Sequence, residues 1–193
     1  MIAANLSVSV DGYFTGPGAG PQQTLGQGGE VLHGWFAHDV ADRDQLSAAD
    51  VLRPELERAG ALVMGRDSYE TAEAAWGPHP PFENPIFVLT HRPTEDDVRE
   101  GSTFTFVTDG FDAAIERARA AAGEKDVMLH GGTSIQQGLR AGVLDELQLH
   151  VVPVLLTQGR WLWEDIGDLP IELEPVRTLE GVGVTHLKYR VRR

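Results

Sequence analysis

The chain has 193 residues, 41% of them hydrophobic, which is enough for one sizeable core and suggests a single domain over 1–193. Sixteen Lys and Arg against 29 Asp and Glu give a formal charge of −13, which disfavours nucleic-acid binding, and the absence of cysteine excludes disulfides, thiol catalysis, and Cys-based zinc or iron–sulfur sites. No apolar run approaches the roughly 20 residues of a membrane span and no basic-then-apolar leader opens the chain, so a cytoplasmic protein without a membrane partner is expected.

Residues 2–10 read as a strand carrying Ile2, Leu6, Val8 and Val10, ended by the Asp11-Gly12 turn signal. Residues 15–29 hold six glycines and two prolines, which predicts a long loop. A short helix over 30–37 follows, with Val31, Leu32, Trp35 and Phe36, and then an acidic connection through Asp39, Asp42 and Asp44. Residues 50–59 read as a helix with Asp50 as N-cap and Pro54 at the end of its first turn. Residues 61–64 are continuously apolar, as in a buried parallel strand; Gly65 ends it and a helix starts near Asp67. Four prolines make 76–85 a loop, 86–89 is a second buried strand, and 103–107 is a short one.

Helix 111–122 has the clearest apolar stripe, Phe111, Ala114, Ile115, Ala118 and Ala122, with Gly123 as C-cap. Residues 127–129 are a third buried strand, and Gly131-Gly132 turns the chain into helix 133–141, closed by Gly142. Residues 146–152 form a strand, and 171–179 and 182–191 a hairpin through Gly181. This alternation predicts an α/β fold: a mixed sheet with a parallel centre and an antiparallel C-terminal edge.

Ligands of open parallel sheets bind beyond the carboxyl ends of the strands. Three such ends carry suitable residues. Gly65 allows close backbone approach, Arg66 offers a permanently charged donor fork and Ser68 a hydroxyl. Thr90, His91 and Arg92 supply a hydroxyl and two basic groups. Gly131 and Gly132 precede a helix whose N-terminal N–H groups favour an anion, with Thr133 and Ser134 able to cap the helix or touch a phosphate. Each segment alone also reads as an ordinary turn, with Thr133 as a plain N-cap. Together they fit a ligand with several phosphates, such as a dinucleotide.

At these residues the chain resembles the dihydrofolate reductase-like superfamily, and more closely the reductase domain of bacterial riboflavin-biosynthesis deaminase-reductases and its stand-alone relatives. The resemblance is carried by Ser9 to Tyr13, Met64 to Glu70, Val88 to Pro93 and His130 to Leu156; Gly142 to Leu147 and Val152 to Leu156 are typical of the stand-alone group. It implies a three-layer fold and an oxidoreductase that transfers a hydride from NADPH to a small heterocycle, riboflavin-precursor-like (5-amino-6-(5-phosphoribosylamino)uracil) or pterin-like. By position it implies that Gly65, Arg66 and Ser68 hold the adenosine-side phosphates. Thr90, His91 and Arg92 would surround the 2′-phosphate, and Gly131, Gly132, Thr133, Ser134 and Ile135 would form the pyrophosphate turn. Homodimer formation is a further implication.

The chain also departs from the pattern. Matching Trp35-Phe36 to the aromatic pair of the first helix puts Leu32 or His33, neither a carboxylate, where true dihydrofolate reductases carry a buried acid, which speaks against folate reduction. No substrate-phosphate site stands out, no catalytic side chain is singled out, and no Cys-containing deaminase motif is present. On the substrate side, Asp11 either contacts substrate or fixes its turn, and Trp35 and Phe36 either stack on a flat ring or pack the core. Trp161 and Trp163 read as core or dimer-interface residues. His33 and His38 are five apart, not the four of a helical zinc pair, and Asp39, Asp42 and Asp44 lack an EF-hand pattern, so no metal is expected. Two alternatives stay open: a flavin or deazaflavin in place of NADPH, and a non-catalytic binding module on the same fold.

Overall fold

The computed structural model describes residues 1–37, 47–76, 79–80, 82–168 and 170–192. The sites read at His38, Asp39, Asp42 and Asp44 lie outside them. In chain order the elements are β1 (Ile2–Ser9), β2 (Tyr13–Thr15), a 3-10 helix η1 (Gly29–Ala37), α1 (Ala48–Arg58), β3 (Ala59–Gly65), α2 (Arg66–Trp76), β4 (Ile86–Leu89), β5 (Asp97–Arg99) and β6 (Ser102–Val107). There follow α3 (Phe111–Ala122), β7 (Asp126–His130), α4 (Gly132–Arg140), β8 (Glu146–Val152), β9 (Arg160–Trp161), β10 (Glu172–Gly181) and β11 (Val184–Arg192).

Nine strands form one sheet in the order β10-β11-β8-β1-β7-β3-β4-β6-β5. The centre, from β8 to β6, is parallel, and β10-β11 form the expected antiparallel edge. The other edge is antiparallel too, because β5 returns on β6. The strands β2, β5 and β9 are only two or three residues long, too short for a periodic signal, and were not anticipated.

Side chains alternate across the sheet and so split the core in two. On one face Ile2, Ala4, Val63, Val127, Leu129 and Leu147 pack against α3 and α4 through Ile115, Ala118, Ile135 and Leu139. On the other face, α2 covers β3 and β4 through Tyr69 against Leu62, Met64, Val88 and Phe104. On the same face η1 and α1 cover the β8-β11 side through Leu32, Trp35 and Leu52. The gap between these two covers is where the site lies.

Several local expectations need correction. The N-cap of α1 is Ser47, not Asp50: the Ser47 hydroxyl accepts from the Asp50 N–H, and the Asp50 carboxylate accepts from the Ser47 N–H at 3.0 Å, a reciprocal capping box. The helix therefore begins earlier and Pro54 lies within it rather than in its first turn. The short helix expected over 30–37 is present, with 3-10 geometry, over Gly29–Ala37. Thr133 does not cap α4; the cap is Gly131 at φ 85°, with no side-chain hydrogen bond to the helix N-terminus.

Candidate functional site

A cleft of ≈ 470 Å³ opens over β1, β7 and β8 between the two helical covers. Its floor is Asn5, Leu6 and Ser7 of β1, Met128 and His130 of β7, and His150 of β8. One wall comes from His33 and Phe36 of η1 with Leu52 and Leu56 of α1; the opposite wall from Ser68, Thr71 and Trp76 of α2 with Phe82. The small β2-β9 ribbon adds buried Phe14 and the more exposed Arg160, which reaches Asp67 of α2 at 3.0 Å.

Of the residues singled out on the substrate side, Phe36 lines the cleft and is 43% exposed. Trp35 lies beneath it. Its indole N–H donates to Ser7 Oγ at 3.1 Å, and its ring packs 4.8 Å from His150 and 4.9 Å from His186. Asp11 is not among the cleft residues. Its carboxylate accepts from Ser9 Oγ and from the backbone N–H groups of Leu156 (3.1 Å) and Thr157 (2.8 Å), so it ties the first turn to the segment after β8. Burial raises its pKa, but the hydrogen bonds from Ser9, Thr157 and Leu156 outweigh that and hold the carboxyl below its ordinary value. Thr157 sits in the left-handed region at φ 61°, held by this clamp.

The three strand ends are neighbours, because β7, β3 and β4 are adjacent in the sheet. At the end of β3, a Cβ on Gly65 would meet nothing within 4 Å. Arg66 donates from Nε to Glu70 at 2.8 Å and from Nη1 to Thr94 Oγ1 at 3.0 Å, with its guanidinium 4.9 Å from the Phe106 ring centre. At the end of β4, Thr90 Oγ1 accepts from the Arg92 N–H at 3.1 Å and closes the turn, leaving His91 and Arg92 exposed. Arg92 lies 3.8 Å from the same Glu70, so two guanidinium groups share one carboxylate.

At the end of β7 the double glycine serves the protein's own packing. A side chain at Gly131 would overlap Ser68 Oγ, and one at Gly132 would overlap the Phe14 ring. Gly131, Gly132 and Ser68 line the cleft. Thr133 is exposed, Ser134 is buried with its hydroxyl unpaired, and the Ile135 side chain belongs to the α3-α4 core. The uncapped start of α4 leaves N–H groups beside the cleft.

The polar floor was missed at the sequence level. His150 and His186 meet Nδ1 to Nδ1 at 2.7 Å, one ring donating and the other accepting. Burial, with the nearby His186 and His33, pushes His150 down to about 3; burial and His33 push His130 down to about 4. His130 sits edge-on to Trp76 and Phe82 at 5.5 and 5.9 Å. A signal existed: Asn5, Ser7 and Ser9 alternate with apolar residues in a central strand, as do Gln148 and His150 in β8, and such alternation marks a face that is not plain core.

The family model for the RibD C-terminal domain matches residues 1–186. The chain belongs to the RibD C-terminal domain family. Among relatives of this RibD-type domain is the uncharacterized protein YyaP of Bacillus subtilis (strain 168), 23% identical over 97% of this chain and 93% of that protein. A Shewanella sp. PV-4 protein provisionally assigned to riboflavin biosynthesis superposes with a TM-score of 0.74 at 22% identity, covering 100% of this chain and 99% of that one. Dihydrofolate reductase of Enterococcus faecalis, solved with NADP(H), superposes with a TM-score of 0.59 at 18% identity, over 100% of this chain and 97% of that one. The fold is thus dihydrofolate reductase-like, as the resemblance implied. Among the described residues no helix is long and apolar enough to cross a membrane.

Proposed function

We propose that this RibD-type domain is an NADPH-dependent reductase that passes a hydride to a small heterocycle in the cleft. The observation that carries the reading is the adjacency of β7, β3 and β4: the Gly131-Gly132 turn lines the cleft, and open Gly65 with two cations sits at the neighbouring strand ends, outside the cleft lining. NADPH fits these residues chemically. Arg66 and Arg92 around Glu70 leave an excess positive charge for the 2′-phosphate that NADH lacks, in a chain of net charge −13. The uncapped α4 N-terminus offers N–H groups to the pyrophosphate.

Bound NADPH supplies the hydride, two electrons at once, and the acceptor takes up one proton besides. The chain's part is to orient and to exclude water. Phe36, Leu52, Leu56 and Met128 wall off solvent, while the His150-His186 pair fixes the imidazole that lies on the floor. The cleft volume lies within the ordinary range for small-ligand pockets.

Thermal shift on the purified protein tests this. NADPH should raise the melting temperature more than NADH, FMN or a deazaflavin, and Arg66→Ala should erase the NADPH-over-NADH gap, about tenfold or more in affinity. A shift with FMN or the deazaflavin and none with NADPH would sink the NADPH reading; no shift with any of them favours a non-catalytic module. The same reading extends to a cytoplasmic, single-domain homodimer, for which light scattering should give twice the 21.0 kDa chain mass.

A further inference from the structure

Fully charged side chains are nearly absent from the described cleft lining. Only Asp67 and Arg160 carry a full charge, and they pair with each other at 3.0 Å. Three further cations near this floor, Arg58, Arg177 and Lys188, do not line the cleft; Arg177 donates to Gln148 at 3.2 Å. Arg58 and Lys188 are engaged by carboxylates at α1, Arg58 with Glu55, Asp126 and Glu146, and Lys188 with Glu55 and Glu146. The remaining polar side chains are neutral: Asn5, the Ser and Thr hydroxyls, and imidazoles whose protonation burial disfavours. Away from the α4 N-terminus, which the reductase reading gives to the pyrophosphate, a charged substituent reaching the floor loses its water and meets no side chain of opposite charge, which costs far more than burying a neutral polar group. Two buried ring nitrogens, His130 Nδ1 and His150 Nε2, have no hydrogen-bond partner in the protein although both residues line the cleft. Buried polar atoms of this kind are normally paired, so their missing partner points to a ligand.

We infer that the cleft takes an uncharged planar heterocycle whose polar edge pairs with His130 and His150, in preference to a ring bearing a phosphate or carboxylate. Calling that ring the hydride acceptor rests on the reductase reading above; its charge class rests on the cleft alone. His150 is a specificity residue here, and His186 a positioning residue that sets which of its nitrogens carries the proton.

The test uses two matched probes, pteridine-2,4-dione and its 6-carboxylate, titrated at pH 7 with and without NADPH and followed by ligand fluorescence. The neutral ring should bind at least tenfold more tightly than the carboxylate. His150→Phe should weaken the neutral ring at least tenfold, and His150→Gln, which keeps a polar edge, should weaken it less. Leu56→Lys alters a wall residue that is 38% exposed, so it does not depend on the buried pair. It should narrow the gap between the probes at least tenfold. Equal or tighter binding of the carboxylate, binding of neither probe, or an unchanged gap in Leu56→Lys overturns the inference. Failure of NADPH to bind, with the neutral ring still preferred, removes the reductase reading and leaves the charge preference standing.

Discussion

Two glycines at the strand ends, Gly131 and Gly65, look alike in sequence and differ in what they do. Gly131 sits at φ 85°, ψ 152°, and a side chain there would also strike Ser68. Gly131→Ala should therefore cost about 1–3 kcal/mol, read as a lower urea midpoint. Ser68→Ala on that background should recover only part of the loss, because it removes the overlap and leaves the backbone strain. Gly65 has open space where its Cβ would be, so Gly65→Ala should leave stability within about 0.5 kcal/mol of the parent. If NADPH passes over β3, the same methyl should weaken its binding; unchanged affinity in that variant would place the cofactor elsewhere. Asp11 teaches the opposite lesson: a carboxylate beside a presumed cleft is occupied by Ser9, Leu156 and Thr157.

Among the elements, α1 is the cover whose ends decide its placement. Its capping box supplies two hydrogen bonds at the N-terminus, and Pro54 inside the helix removes one N–H donor that the α pattern would use. Ser47→Ala should lower stability by about 1 kcal/mol, a shift visible in thermal melts, while Ser47→Asp should be nearly neutral. A loss in Ser47→Asp equal to that in Ser47→Ala would show the cap to be irrelevant. Ser47 and Asp50 both suit a cap, and the capping box uses both, so the residue types alone do not tell which one begins the helix. The long elements α3, β7 and β8 were legible because their apolar periodicity is sustained over several residues. Strands β2, β5 and β9 were not, because only their partners make them strands.

Across the whole molecule, one ion network holds α1 on the sheet. Lys188 Nζ lies 3.0 Å from both Glu55 and Glu146, Arg58 reaches Glu55, Asp126 and Glu146, and the N-terminal ammonium pairs with Asp126 at 3.0 Å. Lys188 and Glu55 are almost fully buried, so Lys188→Ala should destabilise by about 3 kcal/mol, because Glu55 and Glu146 would then share Arg58 alone. Lys188→Met with Glu55→Gln should recover much of this, and no recovery would argue against the charge explanation. Acid should act through several groups in turn. The buried imidazoles of His130 and His150 have folded pKa values below their ordinary 6.5, so the unfolded chain binds their protons first. Their contribution is complete above pH 6.5 and falls as pH drops toward about 4 and about 3, by at most about 1.4 kcal/mol per pH unit per ring. Burial raises Asp126 and Glu146, but the N-terminus and Arg58 for the first, and Lys188 and Arg58 for the second, hold both below 3.8 and 4.5, so their contribution is lost below those values. A urea midpoint that stays flat from pH 7 to pH 4 would refute the histidine account.

Local pattern alone pointed to the class of this protein: short apolar runs at 61–64, 86–89 and 127–129, bounded by turn residues, read as buried parallel strands, and the glycines and cations after them together suggest a ligand edge. That the three ends lie side by side follows from the strand order β7-β3-β4, which no single segment encodes. The same holds for the His150-His186 pair, 36 residues apart, and for Lys188 and Glu55, 133 apart. Periodicity tells which side of its own element a residue occupies; what that side faces is decided by pairings between distant strands, and so only the folded chain brought the neutral cleft into being.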